Sequence, residues 1–120
     1  MTTPKKSNDH STECTSQLLA VRDAMDILNG KWKISILGSL RFGKKRFKEL
    51  QRDVNGIAAK MLSKELRDLE VNELVTRTVY DTKPVTVEYE LTSYGKTLER
   101  VIKELADWGS IHRQRIIRKR

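Results

Sequence analysis

The feature that most constrains the fold is a change of hydrophobic period after Asn72. Up to that residue, apolar side chains recur every three or four positions, which is the period of an amphipathic helix. From Leu74 to Leu91, two segments rich in β-branched residues alternate instead, and Asp81-Thr82-Lys83-Pro84 separates them. Alternation of this kind is typical of two strands joined by a turn. The chain is therefore predicted to place several helices before one β-hairpin.

Four helices are predicted before the hairpin and one after it. The first begins at Thr15 or Ser16, which offer an N-cap, and ends at Asn29-Gly30, where glycine allows the left-handed conformation common at helix ends. The others are a helix over about residues 32–41, a short helix marked by Phe47, Leu50 and Val54, a helix over about residues 58–72, and a final helix capped by Thr92 or Ser93.

The basic charge is concentrated in two parts of the chain. Lys and Arg total 24 against 16 acidic residues, for a net charge of +8. Residues 41–67 carry nine basic and three acidic residues, and residues 111–120 carry five basic residues and no acidic one. Such asymmetry favours a polyanionic partner, of which nucleic acid is the commonest. A solvated basic face without a partner is the alternative.

Several protein classes are excluded by what the sequence lacks. Its apolar runs are only a few residues long, whereas a membrane-spanning helix needs ~20 apolar residues. Residues 1–16 are polar and contain no apolar signal core. The single cysteine, Cys14, excludes a fold stapled by disulfides within the chain. We therefore expect a cytoplasmic protein that does not enter a membrane.

We expect neither catalysis nor a bound cofactor or metal. A metal site needs three or four clustered ligands, and one cysteine with two scattered histidines, His10 and His112, does not supply them. The sequence contains no Gly-rich phosphate loop and no nucleophile elbow. The acidic residues on helices lie mostly beside basic ones, and Glu65 with Lys64 is expected to be a solvated surface pair.

Residues 46–71 form a helix-turn-helix candidate, because two short helices are joined there by a turn at Asn55-Gly56. In such a unit the second helix enters the major groove of DNA, which is ~12 Å wide. A hairpin directly after the unit is the mark of a winged helix. We expect Arg46 and Lys48 to contact phosphates, Lys83 to act at the tip of the wing, and the groove-facing side chains to be Lys60, Met61, Ser63, Lys64 and Arg67.

Three motifs occur in order along most of the chain: Gly30-Lys31-Trp32, Arg46-Phe47, and the run from Glu88 through Tyr89, Leu91 and Thr92 to Gly95. Over roughly residues 14–108 the sequence resembles the HxlR-type transcriptional regulators, a branch near the MarR regulators. The resemblance implies a dimeric winged-helix protein that binds palindromic operators and pairs through its first and last helices. Where the family usually has glycine after the fourth helix, this chain has Asn72-Glu73, and Asn72 is expected to adopt the left-handed conformation.

Cys14 has two interpretations. The resemblance implies a sensor of electrophiles, since some relatives use a cysteine at this place, although theirs is often followed by proline and this one by Thr15. A position just before a helix N-terminus favours the thiolate, and His10 is expected to assist. The alternative is a small packing residue at the dimer interface. Without a second cysteine in the chain, the thiol of Cys14 can be alkylated, form a mixed disulfide or form a disulfide between two subunits.

The predicted fold is α+β and mostly helical: a winged helix-turn-helix with N- and C-terminal dimerisation helices. Residues 1–14 are predicted to be a flexible tail, residues 15–111 the domain, and residues 112–120 a basic tail that is disordered, extends the last helix or touches the DNA backbone. The predicted function is transcriptional regulation by a homodimer on double-stranded DNA, with an electrophile or another small molecule as effector. The alternative is a protein–protein interaction module that does not bind DNA.

Overall fold

The computed structural model describes residues 3–119, with side chains from Ser11 to Lys119. Its contacts divide the chain into two units, one ending at Gly30 and one beginning at Lys31. The first unit contains one long helix, α1 (Thr3–Ile27). Gly30 follows it with φ 83°, the left-handed conformation predicted there.

Helix α1 begins at Thr3, so the predicted start at Thr15 or Ser16 is wrong. The reason is that nothing in the preceding segment interrupts a helix. Pro4 lies in the first turn, where proline is tolerated because its missing N–H has no partner within the helix. Neither glycine nor proline follows until Gly30. The division into a tail and a domain at residue 14 stays a prediction.

The second unit combines helices with a small antiparallel sheet. Its elements, in chain order, are α2 (Lys33–Leu40), β1 (Lys45–Arg46), α3 (Phe47–Asp53), α4 (Ala59–Val71), β2 (Val75–Tyr80), β3 (Thr86–Leu91), α5 (Ser93–Lys96) and α6 (Glu99–Arg118). The predicted order of helices and hairpin is confirmed, and so is the α+β, mostly helical class. None of the described helices is both long enough and apolar enough to cross a membrane.

The sheet has the strand order β1-β3-β2. In the hairpin, Val75 pairs with Leu91 and Arg77 with Tyr89, so the alternation read from the sequence is the alternation of the two sheet faces. Strand β1, which pairs Lys45 with Tyr89, was not predicted. Two residues are too few to show a period, and only pairing with β3 makes them a strand.

The core of the second unit lies between its helices and one face of its sheet. Helix α2 contributes Ile36 and Leu37, and α3 contributes Leu50. Helix α4 contributes three leucines, which recur at the helical period. Buried apolar residues of α4 and the elements after it are Leu62, Leu66, Leu69, Leu74, Val75, Tyr89, Leu91 and Ile102. The core therefore determines which face of α4 is buried.

Helix α4 ends in a Schellman motif. The N–H of Leu74 donates to the carbonyl of Leu69 at 2.9 Å, and the N–H of Glu73 donates to that of Glu70 at 2.9 Å. The left-handed residue is Glu73, with φ 62°, whereas Asn72 has φ −86°. The expectation that Asn72 takes this conformation is therefore wrong by one residue, because the helix continues to Val71.

The predicted final helix is divided into α5 and α6. Thr92 caps α5, since its Oγ1 accepts from the N–H of Gly95 at 2.9 Å, as predicted. Helix α6 then continues to Arg118. The alternative in which the basic tail extends the last helix is therefore the one observed for residues 112–118, and the disordered alternative is wrong for them. Contact of this segment with DNA stays a prediction.

Candidate nucleic-acid interface

The predicted helix-turn-helix is formed by α3, α4 and the five residues between them. Gly56 takes φ 93° in this turn, a conformation that favours glycine. The N–H of Ile57 donates to the carbonyl of Val54 at 3.2 Å, and the side chain of Gln51 donates to the carbonyl of Ile57 at 3.3 Å. Ile57 is buried. The turn is thus held by its own backbone and by one apolar anchor.

Helix α4 has two faces of different chemistry. Its leucines are buried in the core, whereas all five residues predicted to face the groove are exposed: Lys60, Met61, Ser63, Lys64 and Arg67. Because the apolar face of this helix packs in the core and its polar face is exposed to solvent, the polar face can enter a groove while the core stays intact. The predicted exposure is confirmed, and the DNA contacts themselves stay predictions.

The two residues predicted at phosphates lie at the start of α3. Arg46 precedes the helix, and its backbone N–H donates to Glu49 Oε1 at 2.8 Å. This hydrogen bond satisfies one of the N–H groups that a helix start leaves without a partner in the helix. Lys48 follows Arg46 by two residues, within the first turn of α3, and both side chains are exposed. Their contact with phosphates stays a prediction.

Lys83 lies in the turn between β2 and β3 and is exposed, as predicted for a wing tip. The turn is tied by Thr82, whose hydroxyl donates to the carbonyl of Pro84 at 2.8 Å and lies 3.1 Å from Oγ1 of Thr86. On the adjacent strand, Arg77 is also exposed. Sequence reasoning did not single out Arg77, although a basic residue inside the first strand of a predicted wing was visible.

Lys64 is paired within its own helix. Its Nζ lies 3.3 Å from Asp68 Oδ2 and 3.5 Å from Glu65 Oε1. Hydrogen bonding to Asp68, and then the attraction of that carboxylate, raise the pKa of Lys64. Lys64 therefore carries its charge at neutral pH, and a DNA phosphate would compete with Asp68 for it.

The structure also contains a buried ion pair that sequence reasoning missed. Lys33 Nζ on α2 lies 3.1 Å from Glu65 Oε2 on α4, and only 4% and 6% of the two side chains are exposed. The expectation that Glu65 is solvated is therefore wrong. A signal existed, since Lys33 and Glu65 each occupy a position on the apolar stripe of their helix. Opposite charges on two facing stripes indicate a buried pair.

A second polar cluster joins β1, α2 and the end of α3. Ser39 Oγ donates to Asp53 Oδ2 at 2.6 Å and accepts from Lys45 Nζ at 3.0 Å, and Lys45 also donates to Asp53. The hydrogen bond from Lys45, and then that from Ser39, lower the pKa of Asp53. The three residues come from separate elements, so the sequence carried no signal for this cluster.

Cys14 is exposed, and it lies well inside α1, about three turns from the start of the helix. The argument that the helix N-terminus favours its thiolate is therefore wrong, because that effect is confined to the first turn. The side chain of His10, expected to assist, lies outside the described residues. Among the side chains that the structure describes, no three of His, Cys, Asp or Glu form a group that could hold a metal.

Known proteins are similar to this chain in both sequence and fold. Residues 27–116 match the family described as HxlR-like helix-turn-helix. The chain is 42% identical over 98 residues to YtcD of Bacillus subtilis (strain 168), described as an uncharacterized HTH-type transcriptional regulator, with 82% of this chain and 78% of YtcD covered. YdeP of the same organism, described in the same way, is 44% identical over 96 residues, which are 80% of this chain and 75% of YdeP.

Solved structures extend the similarity to three dimensions. The redox regulator HypR in its oxidized form is 40% identical, with a TM-score of 0.73 over 76% of this chain and 94% of that chain. The transcriptional regulator YodB from B. subtilis in its reduced form is 39% identical, with a TM-score of 0.65 over 72% of this chain and 85% of that chain. The resemblance stated from the motifs is confirmed, and with it the winged helix. The chain belongs to the HxlR-like helix-turn-helix family of transcriptional regulators.

Proposed function

We propose that this chain is a cytoplasmic, homodimeric regulator that binds a palindromic operator in duplex DNA through the exposed face of α4. The observation that carries the proposal is the division of α4 into a core face and a free face. The free face combines basic side chains with Ser63 and Met61. Basic side chains suit phosphates and guanine edges, a hydroxyl suits several bases, and an apolar group suits the thymine methyl.

Two helices support the dimer, each considered by itself. Helix α1 exposes apolar side chains in its C-terminal half, namely Leu18, Leu19, Val21 and Met25. Helix α6 likewise exposes the apolar side chains of Val101, Leu105, Trp108 and Ile111, and 66% of Trp108 is exposed. Large exposed apolar faces mark interaction sites. A second copy related by two-fold symmetry would cover such faces and would place two reading helices about one DNA turn, ~34 Å, apart.

The first test is a fluorescence-anisotropy titration with duplex DNA taken from just upstream of the protein's own gene. We expect tight binding with two chains per duplex, which weakens as salt rises with a log–log slope near −0.9 per neutralised phosphate. A scrambled duplex should bind far more weakly at the same salt. Binding no tighter than to scrambled DNA would leave the operator elsewhere or favour the protein-docking alternative.

Arg67→Ala is expected to weaken operator binding by about 5- to 150-fold, because the variant loses an arginine from the groove-facing surface. If Arg67 reads a base, discrimination at one operator position should relax; if it meets a phosphate, affinity should fall evenly for all sequences. Arg100→Ala, which removes the same charge from an exposed position on α6, is the matched control. Unchanged affinity and specificity in Arg67→Ala would contradict the placement of α4 in the groove.

We further propose that Cys14 makes operator binding sensitive to thiol-reactive compounds. The support is the exposure of Cys14 together with the similarity to HypR, which is described as a redox regulator. Addition of the thiol to a quinone needs no second cysteine and no separate oxidant, so a chain with one cysteine is sufficient for it.

Mild treatment with a quinone is therefore expected to lower operator affinity about tenfold or more in the wild type. Cys14→Ser, treated in the same way, should retain its affinity, since serine is not alkylated under these conditions. Both proteins are compared in the same anisotropy titration. If treated wild-type protein binds as tightly as the reduced protein, Cys14 has no sensing role and the packing interpretation is favoured.

A further inference from the structure

The helix that carries the proposed reading face is tied to α2 by charges. Lys33 Nζ lies 3.1 Å from Glu65 Oε2 and 3.3 Å from Asp68 Oδ2, and the two acids are one turn apart on α4. The lysine and Glu65 are almost fully buried, whereas 43% of the Asp68 side chain is exposed. One lysine thus bridges two successive turns of the reading helix.

Stability alone does not account for this arrangement. Removing a lysine and a glutamate from water is costly, and replacing such a pair by apolar residues of similar volume often leaves a protein as stable or more stable. A hydrogen-bonded ion pair differs from an apolar contact in its direction, because it is satisfied only within a narrow range of distances and angles. Leucines packed against leucines admit small rotations and slides. The pair therefore restricts the placement of α4.

The restriction extends to the exposed face. Lys64 lies next to Glu65 in sequence and pairs with both acids that Lys33 holds, at 3.5 Å from Glu65 and 3.3 Å from Asp68. A rotation of α4 that broke the contacts of Lys33 would move these shared carboxylates, and Lys64 with them. The buried anchor and the groove-facing surface are thus linked by direct contacts.

We propose that Lys33 is a positioning residue for DNA reading, which fixes α4 through Glu65 and Asp68 and thereby determines discrimination between operator and other DNA. This inference rests on the proposed function. Contacts to base edges require the side chains to be placed closely, whereas contacts to phosphates tolerate small shifts and carry no sequence information directly. Loss of the anchor should therefore reduce specificity more than general affinity.

The test compares full-length wild-type protein with Lys33→Met/Glu65→Leu. This double variant removes the pair without leaving a lone buried charge. Two quantities are measured at one salt concentration, the melting temperature and the ratio of dissociation constants for scrambled and operator duplexes. The matched control is Lys103→Met/Asp107→Leu on the surface of α6. It removes an ion pair in which Nζ and Oδ2 are 2.8 Å apart, and like the test variant it leaves the net charge unchanged.

We expect the double variant to melt at or above the wild-type temperature, to bind scrambled DNA as the wild type does, and to lose about tenfold or more in the ratio. That loss is the size expected for one good base contact. The control should keep its ratio. Lys33→Met alone should melt lower, because the buried Glu65 then keeps only the longer contact with Lys64 at 3.5 Å. An unchanged ratio in a folded double variant overturns the proposal.

Asp68→Ala keeps the proposal testable if the double variant does not fold. Its side chain is partly exposed, so its removal leaves no buried charge beyond the intact Lys33–Glu65 pair. We expect this variant to fold and to lose roughly threefold in the ratio of dissociation constants for scrambled and operator DNA. An unchanged ratio counts against the proposal. If the wild-type protein does not bind the operator more tightly than scrambled DNA, the proposed function fails. If the wild type discriminates and the variants keep its ratio of dissociation constants, only the role of Lys33 is overturned.

Discussion

Gly95→Ala is expected to lower the free energy of unfolding by roughly 3 kcal/mol or more, which is at the upper end for a single substitution. A Cβ at this position would lie 2.1 Å from the carbonyl oxygen of Leu74 and 3.1 Å from its carbonyl carbon. The contact is with backbone, which cannot rotate away as a side chain can. That backbone is also held, because the N–H of Thr92 donates to the carbonyl of Leu74 at 3.1 Å.

The measurement is chemical denaturation followed by circular dichroism, with Gly109→Ala as the control. Gly109 lies inside α6, and a Cβ there meets no atom of the described residues within 4 Å. Alanine is a better helix former than glycine, so this control is expected to gain up to about 1 kcal/mol. Wild-type stability in Gly95→Ala would mean that α5 does not lie against Leu74 as closely as described.

Leu66→Ala is expected to cost about 2–5 kcal/mol of stability, the usual range for truncating a buried leucine. Only 1% of Leu66 is exposed, and it lies on the core face of α4 between Leu62 and Leu69. The substitution leaves a cavity under the helix, and the rest of the core can close it only in part. Urea unfolding with an unchanged slope and a lower midpoint would report the loss.

Val71→Ala, on the same helix, is the control for Leu66→Ala. Val71 is 76% exposed, so its truncation should change stability by no more than about 0.5 kcal/mol. Equal losses in the two variants would mean that the faces of α4 are assigned wrongly. The neighbouring Arg67 provides the complementary result, since its removal should weaken DNA binding and leave folding largely intact. Adjacent residues should thus separate stability from recognition.

Much of this fold follows from local sequence patterns. The three-to-four-residue period of Leu62, Leu66 and Leu69 predicted both the existence of α4 and its buried face. Alternation from Val85 to Leu91 predicted which side chains share a face of the hairpin, and the structure adds the pairing register. Gly30 and Thr92 predicted a helix end and a helix start, because each supplies a conformation or an acceptor that its position needs. The exposed candidates on α4 followed from the same period.

What the sequence left undetermined depends on contacts between distant residues. Strand β1 exists because Lys45 and Arg46 meet β3, about 40 residues later in the chain. The start of α1 was placed too late because residues 3–14 are polar and have no apolar stripe that marks a helix. The argument on the thiolate of Cys14 depended on that start and was wrong for the same reason.

The sequence by itself determined the elements, their order, the basic segment and the family motifs, because these depend on local periods and on residue types at fixed spacing. Only the tertiary structure decided which charges are buried. Lys33 and Glu65 are 32 residues apart, and although each lies on the apolar stripe of its helix, the local pattern does not show that the two residues meet. Their pairing depends on how α2 and α4 pack, since a charge can leave water only where a partner meets it. The tertiary structure therefore determined what holds the reading helix in place.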